Sequence, residues 1–316
     1  MRTTEIGNVQ RSLFEEPLAA EVWDQDSARR ALDELFTVAR QYSSSAAYFE
    51  LMRFIASFRA YAPFNAMLVH VQMPGARYVA PAHRWASEYC RRIRPDARPL
   101  VILQPMGPVM FVFDVSDTEP EPGAPPLPPE VENPFEVRRG RVGDELRQTV
   151  ENAKRDGIRV TSQQAGAGSA GSIRAANTSQ HLEFRTKTRP KPEHVEVPLR
   201  YELLVNARHS AEAQYATLVH ELAHLYCGHL GSPDPRWWPD RMGLPNQVGE
   251  FEAESVCYLI CARVGLDNPS AEYLAQYVED HGETPPISLD CVMKAAGLIE
   301  QMGRQRLEPR PTKSKQ

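Results

Sequence analysis

The chain has 316 residues, 42% of them hydrophobic and 24% charged, which suits a soluble globular protein long enough for two domains. A formal net charge of −5 excludes a polycation that would coat nucleic acid with its whole surface. No run reaches the roughly 18 apolar residues of a membrane span, the opening MRTTEIGNVQRSLFEEPLAAEVW lacks the apolar core of a secretory signal, and the five dispersed cysteines suit reduced thiols. A cytoplasmic protein with no membrane partner is therefore expected.

In chain order, Asp26 to His70 reads as helical, with apolar residues at helical spacing in SARRALDELFTVARQY and AAYFELMRFIASFRAY. Leu100 to Val115, LVILQPMGPVMFVFDV, reads as a β-hairpin with Met106, Gly107 and Pro108 at the turn. Composition then breaks at DTEPEPGAPPLPPEVENP, where seven prolines and a run of acids leave little to bury and stiffen the chain. This segment reads as an interdomain linker; the alternative is a proline-rich loop inside one domain. Beyond it the pattern predicts a helix from Gly143 to Asp156 and a strand, IRVTS. A Gly/Ala/Ser-rich loop or flexible hairpin, QQAGAGSAGSIRAAN, follows, then strands HLEFR and RYELLVN, and mainly helix from Ser210 onward.

The expected fold class is α+β. A small α+β domain over 1–116 is joined by a linker over 117–135 to a mainly helical domain with a small mixed sheet over 136–300. A basic tail over 301–316, ending RQRLEPRPTKSKQ, is expected to be disordered.

Chemistry concentrates in ATLVHELAHLYCGHL. His220-Glu221-Leu222-Ala223-His224 is HExxH, and residues four apart lie about 40° apart around a helix, so two imidazoles can address one ion. Glu221 then sits where a carboxylate serves as general base. With Tyr215 at zero and about 100° per residue, Leu218, Val219, Leu222, Leu225 and Tyr226 form an apolar arc. His220 and His224 fall near about 140° and 180°, opposite it, so they do not face the core that this helix builds. The bland alternative is a pair of surface histidines.

A catalytic zinc needs a third ligand. His229 is one residue early for HExxHxxGxxH, and Cys227 stands at that pattern's glycine, so His229 reads as a bystander. The later helix EFEAESVCYLICARVGL opens with acids, and Glu250 and Glu254 share a face while Glu252 points roughly 200° from Glu250. Glu250 as zinc ligand with Glu254 accepting the N–H of a ligating histidine is the preferred assignment, and the reverse stays open. A solvated acidic first turn is the alternative, and it accounts for Glu252. Trp237 and Trp238, in the loop between the helices, either cover the cleft or simply pack. Cys257 and Cys261 read as small buried hydrophobes.

RYELLVNARHSAEAQYATLVHELAHLYCGHL with EFEAESVCYLICARVG resembles the ImmA/IrrE-type zinc metallopeptidases. The resemblance implies a zincin-like fold, Zn2+ held by His220, His224 and Glu250, and Glu221 as base. Where the family has Asn or Asp, this chain has Glu254. SFRAYAPFNAMLVHVQMPGARYVAPAHRWASEYCRRIRPDARPLVIL resembles the N-terminal domain of ArdC-type antirestriction proteins, through Phe64-Asn65, Pro74-Gly75, Trp85 and the turn RRIRPDARP, which lacks the family's glycines. That resemblance implies a single-stranded DNA-binding domain joined to the peptidase-like one.

Independently of resemblance, Gly75 to Leu100 carries Arg77, Arg84, Arg91, Arg92, Arg94 and Arg98 against Glu88 and Asp96, with Tyr78, Trp85 and Tyr89 interleaved. Cations with stacking aromatics suit sequence-tolerant single-strand binding. A solvated basic face whose aromatics pack inward is the alternative.

The resulting expectation is a zinc metalloendopeptidase coupled to a DNA-binding domain. It would act on a protein substrate, regulatory or restriction-related, in antirestriction or mobile-element biology. The competing expectation is a non-proteolytic single-stranded-DNA-binding protein whose zinc fold is a scaffold or sensor.

Overall fold

The computed structural model describes residues 45–104, 107–128, 131, 140–164, 170–185, 194–267 and 269–310. The predicted helical segment SARRALDELFTVARQY lies outside them. The fold class is α+β, and the chain divides into two compact units, Met1–Gln41 with Leu68–Asn133 and Tyr42–Met67 with Pro134–Gln316. Helix α1 (Ser45–Ser57) is separated from α2 (Pro63–Gln72) by Phe58–Ala62. Pro63 opens α2 at a position where its missing N–H costs nothing.

In the first unit, strand β1 (Val79–Ala80) leads into helix α3 (Ala82–Tyr89) and strand β2 (Arg91–Ile93). Strands β3 (Leu100–Gln104) and β4 (Gly107–Asp114) form the predicted antiparallel hairpin, and β1 adds to β4 to give the order β1-β4-β3. Gly107 and Pro108, expected at the turn, belong instead to β4, with Gly107 opposite Gln104, and residues 105–106 lie outside the described residues. Strand β5 (Thr118–Pro120) pairs antiparallel with β2. The predicted linker, 117–135, is thus corrected at its start. Thr118 and Glu119 face Ile93 and Arg92 in register, and Leu127 and Val131 pack on a core of Ala80, Trp85, Tyr89 and Val115. The ladder tolerates Pro120 because it is the last residue of β5, which lies in a two-stranded sheet.

In the second unit, helix α4 (Glu145–Ala153) precedes strand β6 (Ile158–Gln163), close to the predicted bounds. Strands β7 (Gly171–Ala175) and β10 (Tyr201–Asn206) complete a sheet of order β6-β10-β7, with β6 parallel and β7 antiparallel to β10. Part of the predicted Gly-rich loop is therefore strand. Gly171 explains the composition, since a Cβ there would stand 2.4 Å from Thr217 Cγ2 and 2.5 Å from the Leu204 carbonyl oxygen. Strands β8 (His181–Arg185) and β9 (His194–Pro198) form a separate hairpin.

Helices α5 (Ala211–Tyr226), α6 (Asn246–Val264), α7 (Ser270–His281) and α8 (Leu289–Arg304) follow. As its apolar run predicts, α6 is buried, packing against α5, α7, α8 and α1. Helix α1, which sequence reading placed in the N-terminal domain, belongs to this unit. The Tyr48 hydroxyl bonds Ser255, and buried Arg263 donates to the carbonyls of Ile55 at 2.7 Å, Phe58 at 3.0 Å and Tyr61 at 2.6 Å. The Ile55 carbonyl belongs to the last turn of α1, which lacks intrahelical donors, and those of Phe58 and Tyr61 to the segment that follows it. Glu300 balances the guanidinium at 2.7 Å.

The expectation of a disordered tail from 301 is also corrected as far as Arg310. Helix α8 runs to Arg304, and the buried Asn152 amide donates to the carbonyls of Met302 (2.7 Å) and Gln305 (2.8 Å). It also accepts the Leu307 N–H at 2.9 Å, while Arg310 pairs with buried Asp156 at 2.7 Å. Specific partners override an unpromising composition here. Residues 311–316 lie outside the described residues.

Candidate metal centre

Strand β10 ends at Asn206, whose buried side chain accepts the Arg208 N–H at 3.1 Å and shapes the turn into α5. Ser210 caps that helix by accepting from the Ala213 N–H at 3.3 Å. The apolar arc of α5 is buried as the phase predicts, whereas His220, Glu221 and His224 are half-buried. They face a cleft of about 400 Å³ whose walls include Gly171, Ser172 and Ile173 of β7 and Leu244 and Pro245 of the following loop.

Helix α6 brings Glu250 to this pair. His220 Nε2 and His224 Nε2 lie 3.1 Å apart, and the Glu250 carboxylate oxygens stand 3.6 Å from each. A tetrahedral zinc site with ligand distances of about 2.0–2.1 Å has donor–donor edges of about 3.3 Å, so these three groups are spaced to share one ion. His220 Nδ1 is 3.4 Å from Glu254 Oε1, the atom pair that a ligating histidine oriented by a carboxylate requires. Glu252 does not join them.

Burial pulls the His220 pKa down, but Glu250 and Glu254 outweigh it and raise it to about 9. The two imidazoles hold the Glu250 carboxyl far below the usual carboxylate range against its own burial. A cation placed between these residues would take over the role of that proton. Burial raises the Glu221 pKa, opposed by His220 and His224 and by the N–H of Ile173 on β7. Glu221 is thus a carboxylate of increased basicity beside the pair, as a general base requires.

Sequence reasoning set His229 and Glu252 aside, and both are structural neighbours of the site. His229 Nδ1 is 3.0 Å from His224 Nδ1, and His229 Nε2 is 2.9 Å from Glu252 Oε2. If His224 turns a bare Nε2 to the cleft, its proton is on Nδ1 and is donated to His229, which donates from Nε2 to Glu252. Glu252 is fully buried rather than solvated. It accepts from Arg241 Nη1 at 2.6 Å and Nη2 at 2.7 Å and from the Ser288 N–H at 2.6 Å. Burial would raise its pKa, but His229 and Arg241 prevail and hold it below the ordinary range. Gly228 aims His229 at this position. Its φ is 86°, and a Cβ would stand 2.2 Å from the Pro239 carbonyl oxygen.

Cys227, His229 and Glu252 form a second cluster with metal-ligand chemistry. They fit an ion poorly, because burial raises the Cys227 thiol pKa and Arg241 already neutralises Glu252. Neither tryptophan covers the histidine cleft. Trp238 is buried and donates from Nε1 to the Gly231 carbonyl at 2.9 Å, and Trp237 belongs to another cavity. Cys257 and Cys261 are buried, as expected of small hydrophobes.

In the first unit the expected nucleic-acid residues separate. Trp85 is fully buried, donating from Nε1 to the Phe113 carbonyl at 2.9 Å, and so has no ring face for a base. Tyr78 meets it edge-on and Tyr89 at a tilt, and the two tyrosines meet each other edge-on. Arg84 is bidentate to Glu88, Arg92 pairs with Glu119 at 2.8 Å, Arg94 with Asp96 at 3.4 Å, and Arg91 donates to Thr118. Arg77 and Arg98 are exposed. The pairing of β5 with β2 offsets part of the local positive charge with Glu119, a partner invisible within Gly75–Leu100.

Comparison with known proteins places the centre in a family context. Residues 154–252 match the IrrE N-terminal-like domain, Peptidase_M78. The match covers about a third of the chain, including the HExxH helix and the opening turns of α6, and it carries a metallopeptidase-like fold. Two solved structures of the antirestriction protein ArdC from plasmid R388 are similar to the chain. The metal-free one has 17% identity and a TM-score of 0.31, over 76% of this chain and 81% of its own. The Mn(II)-bound one has 16% identity and a TM-score of 0.33, over 81% and 94%. No curated protein matches the chain. Among the described residues no helix is long and apolar enough to cross a membrane.

Proposed function

We propose that this chain is a zinc-dependent endopeptidase with His220, His224 and Glu250 as metal ligands and Glu221 as general base. The observation that carries the reading is the convergence of two Nε2 atoms and one carboxylate beside a second, half-buried carboxylate. These ligands would hold a divalent ion, which would supply Lewis acidity toward a peptide carbonyl and a water. Glu221 takes a proton from the attacking water as the new C–O bond forms, then delivers it to the amide nitrogen as the C–N bond breaks. Glu254 and His229 fix the ring orientations and tautomers of His220 and His224. Among the described residues strand β7 lies at the end of its sheet and lines the cleft, so its outer edge, apart from the Ile173 N–H that Glu221 takes, would offer backbone groups to an extended peptide. That favours a protein substrate over a small molecule.

A regulatory or restriction-related protein in the cytoplasm is the substrate class we propose, from the resemblance of the two halves of the chain. A single-stranded DNA partner for the first unit is a second proposal, resting on exposed Arg77, Arg92, Arg94 and Arg98. The test of hydrolysis is Glu221→Gln, which should keep the wild-type metal content while peptide-bond cleavage falls by a factor of about 100 or more. Full biological effect in a metal-loaded Glu221→Gln protein would sink the peptidase reading and favour a binding role.

A further inference from the structure

A second cavity in the same unit, about 760 Å³, shares no lining residue with the histidine cleft. Its walls come from β9, the loop carrying Trp237, Arg155 and Arg200, and Pro309–Arg310 of the C-terminal segment. Behind the lining residues Arg155 and Arg310 lies the fully buried carboxylate of Asp156. Arg310 Nε donates to it at 2.7 Å, Arg155 Nη2 at 3.3 Å and the Tyr226 hydroxyl at 2.9 Å. One negative charge therefore serves two guanidinium groups. Arg200 adds a third positive charge, making one long contact to the Asp156 backbone carbonyl at 3.4 Å. Arg155 is 8% exposed, and its Nε has no hydrogen-bond partner among the described residues. Arg236 adds no free charge because it pairs with Asp234, and Glu196 is the one other carboxylate on the wall, exposed to solvent.

Buried and half-buried guanidinium groups in excess over carboxylates are costly unless an anion completes them. Planar donors of this kind match the several oxygens of a phosphate. The same wall presents the half-buried indole of Trp237, with the guanidinium carbons of Arg200 and Arg310 at 5.4 Å and 5.3 Å from its ring centroid. Both guanidinium groups thus lie over the indole, and this layered tryptophan–arginine surface can stack a nucleobase while the remaining guanidinium nitrogens meet its phosphate. The volume lies within the range of about 300–1,000 Å³ typical of small-ligand sites.

We propose that this cavity binds a mononucleotide, with its base against Trp237 and its phosphate among Arg155, Arg200 and Arg310. The site is independent of the metal centre and stands or falls without it.

Isothermal titration calorimetry of the full chain, with adenosine monophosphate as probe, tests the site. Saturable binding with a Kd below about 1 mM is expected, with adenosine and inorganic phosphate each weaker by about tenfold or more. Binding should survive chelation of divalent metal. Arg200→Ala and Trp237→Leu should each weaken it by about tenfold while the melting transition stays cooperative, and Arg200→Ala suffices if the tryptophan variant does not fold. No saturable heat, equal binding of phosphate alone, loss of binding on chelation, or unchanged affinity in a folded Arg200→Ala protein would each overturn the proposal.

Discussion

His229 stands between His224 and Glu252, 3.0 Å from the Nδ1 of the first and 2.9 Å from the carboxylate of the second. The histidine pair is thereby tied to an ion pair between buried Glu252 and half-buried Arg241, which is anchored in turn to the N-terminus of α8 through the Ser288 N–H. The orientation of one candidate ligand is thus set by three elements distant in sequence.

Removing the middle of this chain should loosen the metal without removing a ligand. His229→Ala is expected to weaken zinc affinity by about 10- to 100-fold, measured by competition with a chelator. Glu252→Ala should be worse for folding, because it empties a buried site and leaves half-buried Arg241 without its counter-charge, at a cost below the about 3–5 kcal/mol of a fully buried pair. Unchanged zinc affinity in a folded His229→Ala protein would show that the contact is incidental.

Glu252 also predicts an acid-dependent term in stability. Its folded pKa lies below the unfolded value of about 4.3, so ionisation stabilises the fold above that value, and the contribution is lost as pH falls through the lower folded pKa. Urea midpoints of chelator-treated wild type and Glu252→Gln should therefore differ most at neutral pH and converge in acid. A gap that stays constant down to the acid transition would contradict the assignment.

The C-terminal segment should be structural as far as Arg310. Asn152→Ala removes an amide that holds Met302, Gln305 and Leu307, and should cost about 2–3 kcal/mol in a denaturant titration. Truncation after Arg304 should destabilise by a similar amount. A disordered tail would make the truncation neutral.

For the first unit, Trp85→Ala should cost about 3–5 kcal/mol as a core deletion. If this unit binds single-stranded DNA through its exposed cations, Arg77→Ala with Arg98→Ala should reduce both affinity and its salt dependence in fluorescence anisotropy. An unchanged salt slope would remove these two residues from the interface.

Sequence carried the centre of the site because its spacing is local. HExxH occupies one helix, and the phase of α5 places its imidazoles off the core face. The two acids four apart at the start of α6 share a face for the same reason. His229, Glu252 and Arg241 were not legible because they meet through a left-handed glycine turn and an irregular loop, where periodicity carries no information. Glu252 in particular reads as a solvated acid until its three donors are brought in from α8 and two loops. Strand β7 hides in a Gly/Ala/Ser-rich run because Gly171 is required by the close approach of Thr217 and Leu204, which no alternation signals. Trp85 and the arginines near it gave two readings, and only the partners from β4 and β5 separate a packed ring and paired cations from an open face.

The central claim is that His220, His224 and Glu250 hold one divalent ion. Crystals of zinc-loaded protein, with diffraction recorded on both sides of the zinc absorption edge, test it most directly. The expected result is a single anomalous peak about 2.0–2.2 Å from His220 Nε2, His224 Nε2 and a Glu250 oxygen. No peak at this position, or one among Cys227, His229 and Glu252 instead, would contradict it.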